Sequence, residues 1–210
     1  MDLSLWLAFV AATMALLLIP GPTVLLVLSY AVGHGRRVAV STALGVALGD
    51  FVAMSASLAG LGALVMTSAT VFTVLKWVGA VYLVYLGVKL IRSAGQGGFA
   101  AVAEVEELSH RRVFGHAAAV TALNPKSIAF FIAFVPQFLR PDAPLMPQFA
   151  ILVATFVGLA GVNALIYALL AARMRDVIAR PAILAWLTRL GGGALVLMGV
   201  ATATLRRAQG

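Results

Sequence analysis

The stretch SLWLAFVAATMALLLIPGPTVLLVLSY, residues 4–30, decides the fold. It carries no charged side chain and exceeds the ~20 apolar residues that take an α-helix across a bilayer. Yet Pro20, Gly21 and Pro22 stand near its middle. Each proline removes a backbone donor and clashes with the carbonyl four residues earlier, so a helix here must break or kink. Carbonyls freed at membrane depth are tolerated only where protein or a water-lined cavity satisfies them. The first span is therefore read as a broken helix, and the break marks either a binding cavity or a packing kink. Met1 to Tyr30 has Asp2 where a signal peptide has basic residues, and its apolar run is longer than a signal core of about 7–15 residues, so it is expected to be retained.

The rest of the chain repeats the theme. Of its 210 residues, 62% are hydrophobic and 10% charged, against about 25% charged in an ordinary soluble domain. Water cannot be the main solvent of such a surface. Six apolar segments are expected, at 4–30, 38–65, 70–92, 114–139, 147–171 and 184–205, which predicts an all-α integral membrane protein of six transmembrane helices forming one domain over 1–210. A five-span variant with one half-inserted helix stays open. The residues between Ser93 and Val113, with Gly95, Gln96, Gly97, Gly98 and Glu104, Glu106 and Glu107, read as a solvated linker. The two sides of that linker are repeat 1, about 1–92, and repeat 2, about 114–210.

The net charge of +8 lies in short clusters between apolar runs, as anchors beside anionic lipid do, and does not call for nucleic acid. Arg36, Arg37, Lys89, Arg92, Arg111, Arg112, Arg173, Arg175, Arg180 and Arg189 flank the first, third and fifth connections. Lys76, Arg140, Arg206 and Arg207 lie on the other side, and Lys126 falls inside the fourth span. By the positive-inside rule, those three connections are cytoplasmic and both termini periplasmic. The chain has no cysteine, which excludes disulfides, thiolate metal sites and thiol shuttling. His34, His110 and His116 are too scattered for a metal site. With no P-loop, zinc motif or serine-nucleophile signature, neither an enzyme nor an ATP-driven pump is supported, and no cofactor is expected.

The two halves resemble each other. Laying Phe9 on Phe114 puts Pro20 on Pro125, and in the third helices Gly79, Leu83, Val84, Gly87 and Val88 fall on Gly191, Leu195, Val196, Gly199 and Val200. An odd number of spans per half inverts the second copy, so the expected architecture is two inverted three-helix repeats, common among secondary transporters.

Chemistry is sought where the apolar pattern fails. Asn124, Pro125 and Lys126 interrupt the fourth span as Pro20 to Pro22 interrupt the first. An ammonium there must snorkel, pair with an acid or face a polar cavity. Ser127 adds a hydroxyl, and a half-helix starting after the break directs free N–H groups toward an anion such as an amino acid's carboxylate. Asp50 is the one carboxylate well inside any expected span, which makes it a candidate proton carrier, a receptor for a substrate ammonium, or a salt-bridge partner of Lys126. Gly45 and Gly49 read as a packing face, echoed by Gly158, Gly161 and Asn163. Asn163 either bonds across helices or lines a cavity, and Gln137 caps the end of the fourth helix. The candidate set is Pro20, Gly21, Pro22, Asp50, Asn124, Pro125, Lys126, Ser127 and Asn163.

In order and spacing, Pro20-Gly21-Pro22, Gly45 through Asp50, Lys76 through Gly87, Leu123-Asn124-Pro125-Lys126 and Pro136-Gln137-Phe138 resemble the LysE/RhtB family of amino-acid exporters, closest to its homoserine/threonine/leucine-exporting branch. The resemblance implies a multi-pass protein of the bacterial inner membrane that expels small neutral amino acids, driven by protons, with lipid as its other partner. Relatives that export basic amino acids, a small-cation exporter and a non-transporting scaffold are the alternatives, and a homo-oligomer is left open.

Overall fold

A computed structural model describes residues 1–18, 21–65, 69–93, 109–140, 143–173 and 180–204. These form an all-helical bundle: α1 Leu3–Leu18, α2 Pro22–His34, α3 Ala39–Val65, α4 Ala69–Ser93, α5 His110–Ala122, α6 Pro125–Ala133, α7 Leu145–Arg173 and α8 Pro181–Thr204, with 3-10 turns at Gly35–Val38 and Val135–Phe138. Pro20, the glycines and glutamates of the linker, and Arg175, Arg206 and Arg207 lie outside the described residues.

Local chemistry explains where the helices start and stop. Gly21 is extended at φ −122° and ψ −169°, and α2 begins on Pro22 at its first position, where the missing N–H costs no helical bond. Asn124 caps α6 by accepting the Lys126 amide at 3.1 Å, again with proline at the first position. An asparagine cap followed by proline is a helix-start signal, so the fourth apolar segment is a helix that stops and restarts. The two broken pairs bend by 58° between α1 and α2 and by 45° between α5 and α6. Helix α5 starts at His110, earlier than the apolar pattern predicts, because Ser109 caps it by accepting the Arg112 amide. Gly35, at φ 65°, makes the left-handed corner between α2 and the turn leading to α3.

Among the described residues, Gly35–Gly60 and Leu145–Ala171 are each long and apolar enough to cross a membrane unbroken, and each bent pair passes if counted as one span. That gives two to four candidate spans. The outward faces are apolar: Val40, Leu44 and Phe51 on α3, Val78 and Val81 on α4, and Leu190 and Leu197 on α8 are exposed. Apolar surface of this kind suits a membrane or another protein rather than water. Inside, Phe131 meets Phe156 edge-on at 4.7 Å, joining α6 to α7, and Phe130 stacks on Phe134 at 5.2 Å at the end of α6.

Two seams set the helix arrangement, and glycine makes both. A β-carbon added at Gly45 would lie 2.5 Å from the Phe114 carbonyl oxygen, and one at Gly49 would lie 2.5 Å from that of Ala118. Contacts rise together in sequence, so α3 and α5 run parallel with their backbones nearly touching, as small-residue membrane interfaces allow. In the second seam, Gly87 faces Gly192 and Val196, while Gly199 faces Ala80 and Val84. Here one number falls as the other rises, so α4 and α8 are antiparallel. Helices α1 and α7 are parallel as well: Trp6 donates its indole N–H to Thr155 at 3.0 Å, and Leu17 meets Asn163 further along.

Candidate substrate cavity

The two helix breaks meet. Where α1 stops, the Leu16, Leu17 and Leu18 carbonyls have lost their helical donors, because those would be the N–H groups of residues 20, 21 and 22, and two of these are prolines. Side chains from other helices take over. Lys126 Nζ donates to the Leu16 carbonyl at 3.1 Å, Asn163 Nδ2 to the Leu17 carbonyl at 3.2 Å, and the Tyr167 hydroxyl to the Leu18 carbonyl at 3.2 Å. Lys126 reaches its carbonyl by lying across Gly21, whose missing β-carbon would stand 3.2 Å from the lysine Cε. A β-carbon at 21 would press on the end of the lysine side chain, which would have to give by a few tenths of an ångström.

The second break is tied to the first. Asn124 Nδ2 donates to the Thr23 hydroxyl at 3.0 Å, and Thr23 shares a 3.3 Å hydrogen bond with Thr121 in the last turn of α5. A cavity of about 30 Å³ lies between these groups, about the volume of one water in the liquid. Asp50, Asn124, Lys126, Ser127, Asn163 and Tyr167 are among its lining residues. Asp50 is 2% exposed, and its Oδ1 has no hydrogen-bond partner among the described residues. Its charge and that of Lys126 attract one another.

The structure thus brings Asp50, Asn124, Lys126, Ser127 and Asn163 to one cavity and sets Gly21 against Lys126. Pro22 and Pro125 sit outside the cavity wall as first residues of α2 and α6, and Pro20 lies outside the described residues. Asn163 both bonds across helices and lines the cavity. Gln137 donates to the Ala133 carbonyl at 3.2 Å, within the end of the fourth helix. Sequence reasoning missed Thr23 and Tyr167, which also line the cavity. The available signal was spacing: Tyr167 stands one helical turn after Asn163 and shares its face.

Tyr167→Phe isolates one of the three carbonyl caps. Loss of the Leu18 bond should cost about 1 kcal/mol, read as a lower thermal midpoint of the protein in detergent with expression unchanged. An unchanged midpoint would mean that this bond adds nothing.

A helical bundle with apolar outer faces, in which two broken helices converge on a buried, charged cavity, has the features of a membrane translocator. The comparisons agree: residues 14–206 match the LysE type translocator family, and the chain belongs to it. It is 34% identical over 203 residues to a homoserine/homoserine lactone efflux protein of Salmonella typhimurium, covering 97% of this chain and 98% of that protein. It is 32% identical over 203 residues to the protein of the same name in Salmonella typhi, with the same coverage. An uncharacterized membrane protein of Vibrio cholerae is 32% identical over 206 residues, covering 98% of this chain and all of that protein. No solved structure matches the chain.

Proposed function

We propose that this protein is a secondary-active exporter of small neutral amino acids, moving them from cytoplasm to periplasm across a bacterial inner membrane in exchange for protons. The observation that carries the reading is the convergence of both helix breaks on one cavity holding a buried carboxylate and a buried ammonium. An amino acid carries both complementary charges. The names of the Salmonella relatives add a chemical clue. Homoserine and its lactone share the α-ammonium, but only homoserine has a free carboxylate, so a site accepting both grips the amine.

In this reading six spans form two inverted repeats, with α4 and α8 as the third and sixth spans. The glycine seams support it. If Gly87 is laid on Gly199, Val84 falls on Val196, and each glycine packs against the other helix's valine. Two antiparallel helices that exchange contacts in this way are related by a two-fold axis across them, which is the relation inverted halves require. If Gly45 is laid on Gly158, Asp50 falls on Asn163, and both line the cavity. The parallel pairing of α3 with α5 is matched by that of α7 with α1.

The cavity is far below the ~300–1,000 Å³ of small-molecule sites, so cargo enters only when the breaks move apart. Toward the N-terminal end, α1 is held to the end of the fourth span by Phe9 against Phe138 at 5.3 Å and by the Asp2–Arg140 ion pair at 2.9 Å. At the opposite end, the Tyr30 hydroxyl meets His116 Nδ1 at 2.6 Å. Opening these two closures in turn is alternating access. Asp50 carries the coupling proton in this scheme.

The test is efflux from proteoliposomes loaded with homoserine, threonine or leucine under an imposed pH gradient. Export that collapses with an uncoupler is expected. Failure to move any amino acid in a broad screen would overturn the reading.

A further inference from the structure

We propose that Lys126 is a tethered stand-in for the cargo's ammonium: it holds the carbonyl end of α1 between cargoes and yields it to the α-ammonium of an amino acid, or of its ester or lactone. This deepens the exporter reading and rests on it. Three successive carbonyls, Leu16 to Leu18, end α1, and the C-terminal end of a helix is the negative end of its dipole. Their present partners are all N–H or O–H donors, and the one at Leu16 is itself a primary ammonium on a four-carbon stem. A cargo ammonium offers three N–H donors of the same kind, so it competes with Lys126 for the Leu16 carbonyl. Asn163 and Tyr167 keep the neighbouring carbonyls in place.

Asp50 supplies a counter-charge for the displaced ammonium. Its Oδ1 is buried, lines the same cavity and has no hydrogen-bond partner among the described residues. An ammonium displaced from Leu16 has that carboxylate to go to. On the Gly21 side the lysine stem passes a residue with no side chain, where a β-carbon would stand 3.2–3.3 Å from the end of the stem. When the cargo leaves, Lys126 returns and the cavity closes without exposing an uncompensated helix end. The cargo's carboxylate is dispensable in this scheme, whereas its free amine is not.

The opposing assignment makes Lys126 the receptor for the cargo's carboxylate, and binding to purified wild-type protein in lipid nanodiscs separates the two. Homoserine and homoserine lactone should bind within about tenfold of each other, and N-acetylhomoserine, which keeps the carboxylate but lacks the ammonium, should not bind. In Lys126→Met, both amines should bind about tenfold more tightly because the internal competitor is gone, while net efflux falls. Binding of N-acetylhomoserine as tight as that of homoserine would overturn the proposal, as would weaker homoserine binding in Lys126→Met with lactone binding unchanged. Should Lys126→Met not fold, the three wild-type affinities decide alone. Wild-type efflux of homoserine is measured in parallel, so loss of the exporter reading is distinguishable from loss of this one.

Discussion

Asp50→Asn should abolish export while leaving the protein folded. The substitution keeps size and polarity but removes both the charge and the titratable proton from a side chain that is 2% exposed. An ionised group in the membrane interior is costly and is retained where it functions. The neutral amide relieves that cost but leaves the buried Lys126 ammonium without the Asp50 counter-charge. Removing one partner of a buried pair destabilises, so the variant's thermal midpoint should fall below that of wild type while the protein still inserts and runs as a single species. Efflux of preloaded threonine, leucine and homoserine should drop about a hundredfold, to the background of cells lacking the protein. Equal efflux from equal amounts of membrane-inserted protein would remove Asp50 from the mechanism. Loss of the folded, membrane-inserted protein together with efflux would instead make the residue structural.

Gly49→Leu should prevent folding, and Gly49→Ala should damage it measurably. A β-carbon there would stand 2.5 Å from the Ala118 carbonyl oxygen and 2.6 Å from Thr121 Cβ. Neither neighbour is the far end of a flexible side chain, so α3 and α5 must separate. Overpacking of this kind costs about 1–3 kcal/mol for a small group and more for a large one. The damage also reaches the cavity, because Thr121 bonds Thr23, and Thr23 bonds the Asn124 cap of α6. Gly60→Ala is the control, since a β-carbon at Gly60 meets nothing within 4 Å. Size-exclusion profiles and thermal midpoints of the three variants should separate cleanly. A monodisperse Gly49→Leu with a wild-type midpoint would refute the seam.

The helix breaks were legible because their chemistry is local. A proline announces its missing donor, and an asparagine before it announces a cap, whatever surrounds them. Asp50 and Lys126 were legible for a different reason: a charge in an apolar run is conspicuous. Thr23 was not, since a hydroxyl in an apolar helix looks the same whether it packs or lines a cavity, and Tyr167 was signalled only by its spacing from Asn163. Least legible was one hydrogen-bond partner of Lys126. It is a main-chain carbonyl 110 residues away, and a carbonyl bears no residue identity for a pattern to show. The start of α5 was misplaced for a related reason, because hydropathy marks where a helix is apolar, whereas Ser109 sets where it begins.

The glycine seam between α4 and α8 has a consequence for assembly. Its two faces are alike, each presenting a glycine to the other's valine, which is the form of an isologous dimer interface closed within one polypeptide. Such a face is used up once the chain folds. Any contact with a further copy would have to use side chains that still point outward, such as Trp77, Val78 and Val81 on α4, and not the most closely packed surface of the molecule.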